Sequence, residues 1–286
     1  MDRNLRNRSV GLTMSADFKV FHGKVAYLGP AGSWTHQACI DLFPLAEKVP
    51  LSRDEMVSAS DEGRVDLICL PVTTSIVGVT PYMDLALSMK GMRVITEYPK
   101  MLGYSLIVKP GTKLEDLAEV YAHPVALEEV RPWLDRELPN VRRIDVATGG
   151  RAASLVAESS TADKGSFGPR IGADIYNLAT LFDDIEEGPH NVTRWWVLGR
   201  VGPTPTGNDK TSMVVELGDG DFTPFMTSMF QANINVLTVY ERPAKSALDR
   251  HFYLVEAEGH QDDAALRVFL QGNRQVEVRG SYPRQY

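Results

Sequence analysis

Over residues 24–199, short runs of β-branched and large apolar residues alternate with stretches of helical periodicity. Strands separated by helices at this spacing cannot pair through tight hairpins, so the pattern predicts an α/β fold with mainly parallel sheet. Strands are expected at 25–28, 65–70 (stopped by Pro71), 93–97, 103–108, 120–121, 143–146 and 192–199. Helices are expected after the Gly29-Pro30-Ala31-Gly32 turn, capped by Ser33 or Thr35, and at 52–62, 80–89, 126–138, 149–159 and 172–178. The run Gly202-Pro203-Thr204-Pro205-Thr206-Gly207-Asn208 interrupts both periodicities and reads as a linker. Beyond it the order is βαββα: strands at 211–217, 235–241 and 251–257, and helices at 223–232 and 264–270. The first of these helices has Phe225, Met226, Met229 and Phe230 on its apolar side. This order predicts a small, ferredoxin-like α+β domain.

The expected organisation is therefore a tail at 1–23, an α/β unit at 24–201, a second domain at 210–272 and a polar tail at 273–286. A chain of 286 residues, 43% hydrophobic, is long enough for each domain to bury its own core. Net charge is -7, and the basic residues are scattered, which argues against nucleic-acid binding because phosphate contacts need clustered Lys and Arg. Cys39 and Cys69 lie in apolar runs and read as buried free thiols. No apolar run approaches the ~20 residues of a membrane helix. Arg3, Arg6 and Arg8 precede no apolar core of a secretory signal. A cytoplasmic protein is expected.

Two segments carry chemistry. The strand, glycine turn and helix start from Tyr27 to His36 aim backbone N–H groups and the positive end of a helix dipole at one spot, suited to a carboxylate or phosphate. In Asn191-Val192-Thr193-Arg194-Trp195 a hydroxyl stands beside a guanidinium. Taken alone, the first also reads as an ordinary strand-to-helix turn and the second as a strand end with a surface Arg. His123 before Pro124 reads more readily as structural. None of the six His shows metal-ligand spacing, and nucleotide-binding or serine-hydrolase motifs are absent.

The segments gain meaning together. Gly29-Pro30-Ala31-Gly32-Ser33-Trp34-Thr35-His36-Gln37-Ala38 resembles the GPxGT-F-S-x-x-A opening of the prephenate dehydratase family. Tyr121-Ala122-His123-Pro124-Val125-Ala126-Leu127 resembles its S-H-P-Q-A-L segment, and 191–195 its N-x-T-R-F signature. Tyr240-Glu241-Arg242-Pro243 looks like the E-S-R-P of the ACT regulatory domain found in many members. The resemblance implies a two-lobed, periplasmic-binding-protein-like catalytic domain followed by an ACT domain, with a homodimer formed through the latter. It implies an enzyme that takes carbon dioxide and hydroxide from prephenate, a small dianion, to give phenylpyruvate with no metal or organic cofactor. By the same match Thr193 helps the hydroxyl leave and Arg194 holds an anion. Gly32, Ser33, Thr35, Thr73, Thr74, Ser75, His123 and Glu129 are the expected substrate contacts, and Glu241, Arg242 and Pro243 the counterpart of the effector turn.

The departures matter as much. Where the family usually has P-I-E-N-S, this chain reads Pro71-Val72-Thr73-Thr74-Ser75. Ala122 and Val125 replace the Ser and first Gln of S-H-P-Q, Glu129 replaces a second Gln, and Ala31 replaces an acid. Each lost charged hydrogen bond in a closed site costs about 1.5–3 kcal/mol. The preferred expectation is thus a re-tuned pocket of the kind used in secondary metabolism, which decarboxylates prephenate to a non-aromatic dihydro product. Thr193-Arg194 argues against it, and the alternatives are a divergent dehydratase with substitute contacts or a non-catalytic binding protein. In the second domain Glu241 stands where the family has Ser, so phenylalanine regulation is expected to be weak or absent.

Overall fold

The structure, a computed structural model, describes residues 18–188, 190–244 and 246–286. The segment with Arg3, Arg6 and Arg8, most of the expected N-terminal tail, lies outside the described residues. Two compact units are formed: one from Val20–Met89 and Tyr98–Trp195, the other from Lys90–Glu97 and Trp196–Tyr286 together with Phe18 and Lys19.

The first unit holds two α/β lobes. In the first lobe the order is β1 (Lys24–Leu28), α1 (Trp34–Leu42), β2 (Glu47–Leu51), α2 (Arg53–Asp61), β3 (Leu67–Thr74), β4 (Gly78–Val79), α3 (Pro81–Ser88) and β5 (Arg93–Met101), of which only Tyr98–Met101 belongs to this unit. The second lobe contains β6 (Ser105–Val108), β7 (Glu119–Ala122), α4 (Pro124–Glu129), α5 (Arg131–Glu137), β8 (Arg142–Asp145), α6 (Gly149–Glu158), β9 (Lys164–Gly168), α7 (Ile171–Tyr176) and β10 (Ala179–Phe182). The chain then returns to the first sheet as β11 (Val192–Gly199), giving the order β2-β1-β3-β11-β5 with β4 on β3. β1 runs parallel to β2 and β3. The second sheet, β10-β6-β9-β7-β8, is mixed: β7 is parallel to β8 and β9, whereas β6 is antiparallel to β9 and β10.

Local chemistry explains most of these elements. Ser33 caps α1 by accepting from His36 N, and Ser52 with Glu55 forms a reciprocal capping box at α2. Val25, Ala26, Ile68 and Leu70 are buried in the first lobe, with Cys39 and Cys69 as free thiols. Burial and the contact with Cys69 hold the Cys39 thiol well above its ordinary pKa, so it stays protonated.

Pro71 does not stop β3. Pairing with β1 ends at Tyr27↔Cys69, and the strand continues through Pro71 into a hairpin with β4. The helix expected over 126–138 is two helices, broken at Val130. Pro132 explains the break, since a proline in a helix interior removes one hydrogen bond and clashes with the preceding turn.

The second unit places β12 (Asp209–Gly218), α8 (Phe222–Gln231), β13 (Val236–Pro243), β14 (Arg250–Glu258), α9 (Ala264–Gly272) and β15 (Glu277–Pro283) in the antiparallel order β13-β14-β12-β15, a ferredoxin-like βαββαβ. Met213, Val215, Val255, Phe225, Met229 and Phe269 form its core. Phe230, expected on that apolar side, is 80% exposed. Residues 273–286 are not a tail: β15 pairs with β12 along its length. Its buried side chains are partly polar, which disguises it, but they are satisfied in place; Ser281 bonds Thr211 at 2.8 Å and Tyr282 bonds Ser212 at 2.7 Å. Nor do residues 18–23 behave as a tail, since Phe18 is buried and Phe21 packs edge-on against Phe43.

Within the same unit, residues 90–97 are held to the C-terminal strands. Lys210 and Glu97 form a buried ion pair at 3.1 Å, with side chains 3% and 0% exposed. Gln285 N donates to Glu97, and Gly280 lies so near the backbone that a Cβ there would meet Val94 O at 2.1 Å.

Candidate active site

Four helices of the first unit begin around one cavity of about 450 Å³. Its wall includes Ser33, Trp34 and Thr35 at the start of α1, residues 80–82 at α3, His123 and Val125 at α4, and Thr148 and Gly149 at α6. The caps Ser33, Thr80 and Thr148 each accept a first-turn N–H of their own helix. The N-terminal ends of these helices give the cavity a positive potential without a formal charge. Leu28, Pro71, Leu102, Phe167 and Trp195 supply apolar wall, and among the described residues no Lys, Arg, Asp or Glu lines the cavity. Such a space suits a compact anion with an apolar ring.

β11 and the residue before it deliver Asn191, Thr193 and Trp195 to the cavity. Successive side chains of a strand point to opposite faces, so Arg194 faces away. It is 3% exposed and its Nε donates to Thr73 Oγ1 at 3.1 Å. Arg194, expected to hold the substrate anion, is thus not among the residues that line the cavity, where helix N-termini face instead. Trp195 Nε1 donates to Thr35 Oγ1 at 3.1 Å, which fixes one wall to the other within the first lobe.

Of the expected contacts, Ser33, Thr35, Thr74, His123 and Thr193 line the cavity; Gly32, Thr73, Ser75, Glu129 and Arg194 do not. Ser75 instead donates to His190 O and accepts from Val192 N, tethering the end of β3 to the strand that carries Thr193. Gly32 N donates to His36 Nδ1, and His36 is stacked on Tyr27 with ring centroids 4.7 Å apart. Burial lowers the pKa of both His36 and His123. His123 Nδ1 accepts from Val125 N, so the neutral ring carries its proton on Nε2.

Glu129 is fully buried behind the cavity wall. Tyr104 OH bonds its Oε1 at 2.9 Å and Asn191 N donates to its Oε2 at 3.2 Å. Burial pushes the Glu129 pKa up to about 7, against the opposing pull of those hydrogen bonds. Tyr104 and Asn191, neither expected from the sequence as site residues, are the groups that line the cavity in its place. Asn191 had a signal, being two residues from Thr193 on an alternating strand; Tyr104 had none.

The two lobes meet beside the cavity. Tyr176 OH donates to Ala31 O at 3.1 Å, and Gly150 of α6 sits so close to the β1–α1 turn that a Cβ would lie 2.4 Å from Ala31 O. In the second unit, Glu241 bonds His251 Nδ1 at 2.7 Å and Asp219 bonds Nε2 at 3.1 Å, while Arg242 and Pro243 complete β13. Among the described residues no three His, Cys, Asp or Glu converge as metal ligands, and no helix is long and apolar enough to cross a membrane.

Comparison with known proteins agrees with this geometry. The family model described as prephenate dehydratase matches residues 25–202. The chain is similar to a bifunctional chorismate mutase/prephenate dehydratase of Neisseria gonorrhoeae, 32% identical over 91% of this chain and 74% of that one. It is similar to a prephenate dehydratase of Mycolicibacterium vanbaalenii, 29% identical over 91% and 90%. Among solved structures, the prephenate dehydratase of Arthrobacter aurescens in complex with L-Phe superposes with a TM-score of 0.82 at 25% identity, covering 91% of this chain and 90% of that one. With its two-lobed fold, its N-x-T-R-type strand at the cavity and a family match over most of its length, the chain belongs to the prephenate dehydratase family.

Proposed function

We propose that the protein is a prephenate dehydratase, converting prephenate to phenylpyruvate, carbon dioxide and water. The observation that carries this reading is Thr193, held on β11 at a cavity ringed by helix N-termini. The N–H groups at the starts of α1, α3 and α6 bind the two carboxylates, the apolar wall takes the ring, and Thr193 hydrogen-bonds the departing hydroxyl. Expulsion of hydroxide is assisted most by a donor that acts as charge develops on the leaving oxygen. Thr193 fills that role, and the names of the relatives support the same outcome. Decarboxylation without aromatisation has one observation in its favour: Thr73-Thr74 stands where the family usually has Glu-Asn, and Thr73 is turned toward Arg194.

Incubation with prephenate, following carbon dioxide and phenylpyruvate absorbance together, decides between them. Both products establish the dehydratase. Carbon dioxide without the aromatic product establishes the decarboxylase, and neither product leaves a binding protein. We extend the proposal to a cytoplasmic homodimer assembled through the ferredoxin-like domain, read as an ACT domain; the similarity to a phenylalanine-bound dehydratase structure supports that reading of the domain.

A further inference from the structure

Either outcome on prephenate consumes one proton per turnover. In dehydration the carbon–carbon bond to the ring carboxylate breaks, its electron pair aromatises the ring, and the C–O bond pair leaves on oxygen, which must be protonated to become water. In simple decarboxylation the same electron pair is instead protonated at a ring carbon. Thr193 cannot be the net source, because an alkoxide left on threonine has to recover a proton at once.

Among the described residues the cavity lining holds only three titratable side chains: Tyr82, Tyr104 and His123. Burial disfavours the protonated form of His123, and its Nδ1 is committed to Val125 N. Tyr104 alone backs onto a carboxyl, that of Glu129, at 2.9 Å. We propose that Tyr104 is the catalytic residue that passes the proton to the substrate, and that Glu129 is the positioning residue behind it that supplies the proton. The inference rests on the prephenate reading of the same cavity. When Glu129 is protonated, it donates to the Tyr104 oxygen and frees the Tyr104 hydrogen for the cavity. On transfer, the Tyr104 O–H bond breaks toward the substrate, the Glu129 O–H bond breaks toward Tyr104, and the carboxylate recovers a proton from solvent.

The surroundings keep that carboxyl protonatable near neutrality. Burial disfavours its charge, and Glu186, whose carboxylate accepts from Tyr104 N, faces it with like charge. Glu187, whose N–H donates to Glu129 O, is neutralised by Arg136 of α5. Asn191 and Tyr104 are the remaining polar groups against it. The family's Gln at this position has no proton to give, so the relay is a property of this chain.

The test is kcat and KM for prephenate from pH 5 to 9 in the full chain, for wild type, Glu129→Gln and Tyr104→Phe. Wild-type kcat falls above pH 7, by about tenfold per pH unit. Glu129→Gln lowers kcat at pH 6 by ~10-fold and removes the alkaline fall, and Tyr104→Phe lowers kcat by ~10²-fold, each with KM within about threefold. A buried protonated carboxyl is seen by infrared spectroscopy at pH 6 in wild type and is missing from Glu129→Gln, whether or not the variant turns over. Wild-type turnover with an unchanged profile in Glu129→Gln, full kcat in Tyr104→Phe, or no carboxyl band at pH 6 overturns the relay alone. A wild type inert toward prephenate overturns the proposed function and the relay with it.

Discussion

Replacing Gly150 by Ala tests whether the seam between the lobes sets the geometry of the cavity. In an unencumbered helix this change stabilises by about 1 kcal/mol. Here the new Cβ would lie 2.4 Å from Ala31 O, 2.9 Å from Pro30 O and 3.1 Å from Ser33 N. All three are backbone atoms of the β1–α1 turn, so no side chain can swing aside. The seam has to open by about 0.6 Å to bring the shortest contact to 3.0 Å, at an overpacking cost of ~1–3 kcal/mol. The turn presents Ser33 and the helix presents Thr148 and Gly149, all of which line the cavity. A misplacement of about 1 Å can cost ~10²-fold in rate, so a fall of at least ~10-fold in kcat/KM for prephenate is expected, with melting temperature unchanged or a few degrees lower. Gly220→Ala, where nothing lies within 4 Å, is the control and leaves both unchanged. A Gly150→Ala protein with wild-type kcat/KM and a higher melting temperature would refute the reasoning, since the lobes would then yield at no cost.

Thr193→Ala should lower phenylpyruvate formation by ~10²-fold or more with the fold intact by circular dichroism; a fall under threefold removes the hydroxyl from the mechanism. Thr73→Val takes the acceptor from Arg194 Nε and should cost ~1.5–3 kcal/mol in urea unfolding, while KM moves less than about twofold; a tenfold rise in KM at unchanged stability would show Arg194 acting on substrate instead. Calorimetry should show no micromolar phenylalanine binding, because the Glu241 carboxylate repels that of the amino acid, and Glu241→Ser should strengthen it. Tight binding to the wild type overturns that reading of Glu241.

The alternation of elements through 24–199 and the linker at 202–208 were legible because apolar periodicity and Gly/Pro punctuation are local signals. The strand β15 was not, since Arg279 and Ser281 look solvated until their partners on β12 and Glu277 are present. At the site, Ser33, His123 and Thr193, which line the cavity, each lie in a short linear motif legible in the sequence. The orientation of Arg194 was also available in principle, because alternation alone separates it from Thr193. The exchange of Glu129 for Tyr104 at the cavity wall was not, as it depends on residues 25 positions apart meeting across the second lobe.

The buried pair of Lys210 with Glu97 bears on how this protein can be taken apart. Sequence places the boundary between domains in the linker, and a fragment ending there contains every residue that lines the cavity. Yet cutting there strips Glu97 of Lys210 and of the Gln285 N–H, and bares Val94 where Gly280 lies against it. Removing one member of a buried ion pair costs about 3–5 kcal/mol, a large part of the stability of a typical domain. The C-terminal domain is thus not a detachable module: its exchange or loss in a descendant gene would require compensating changes in 90–97, a segment encoded more than a hundred residues upstream.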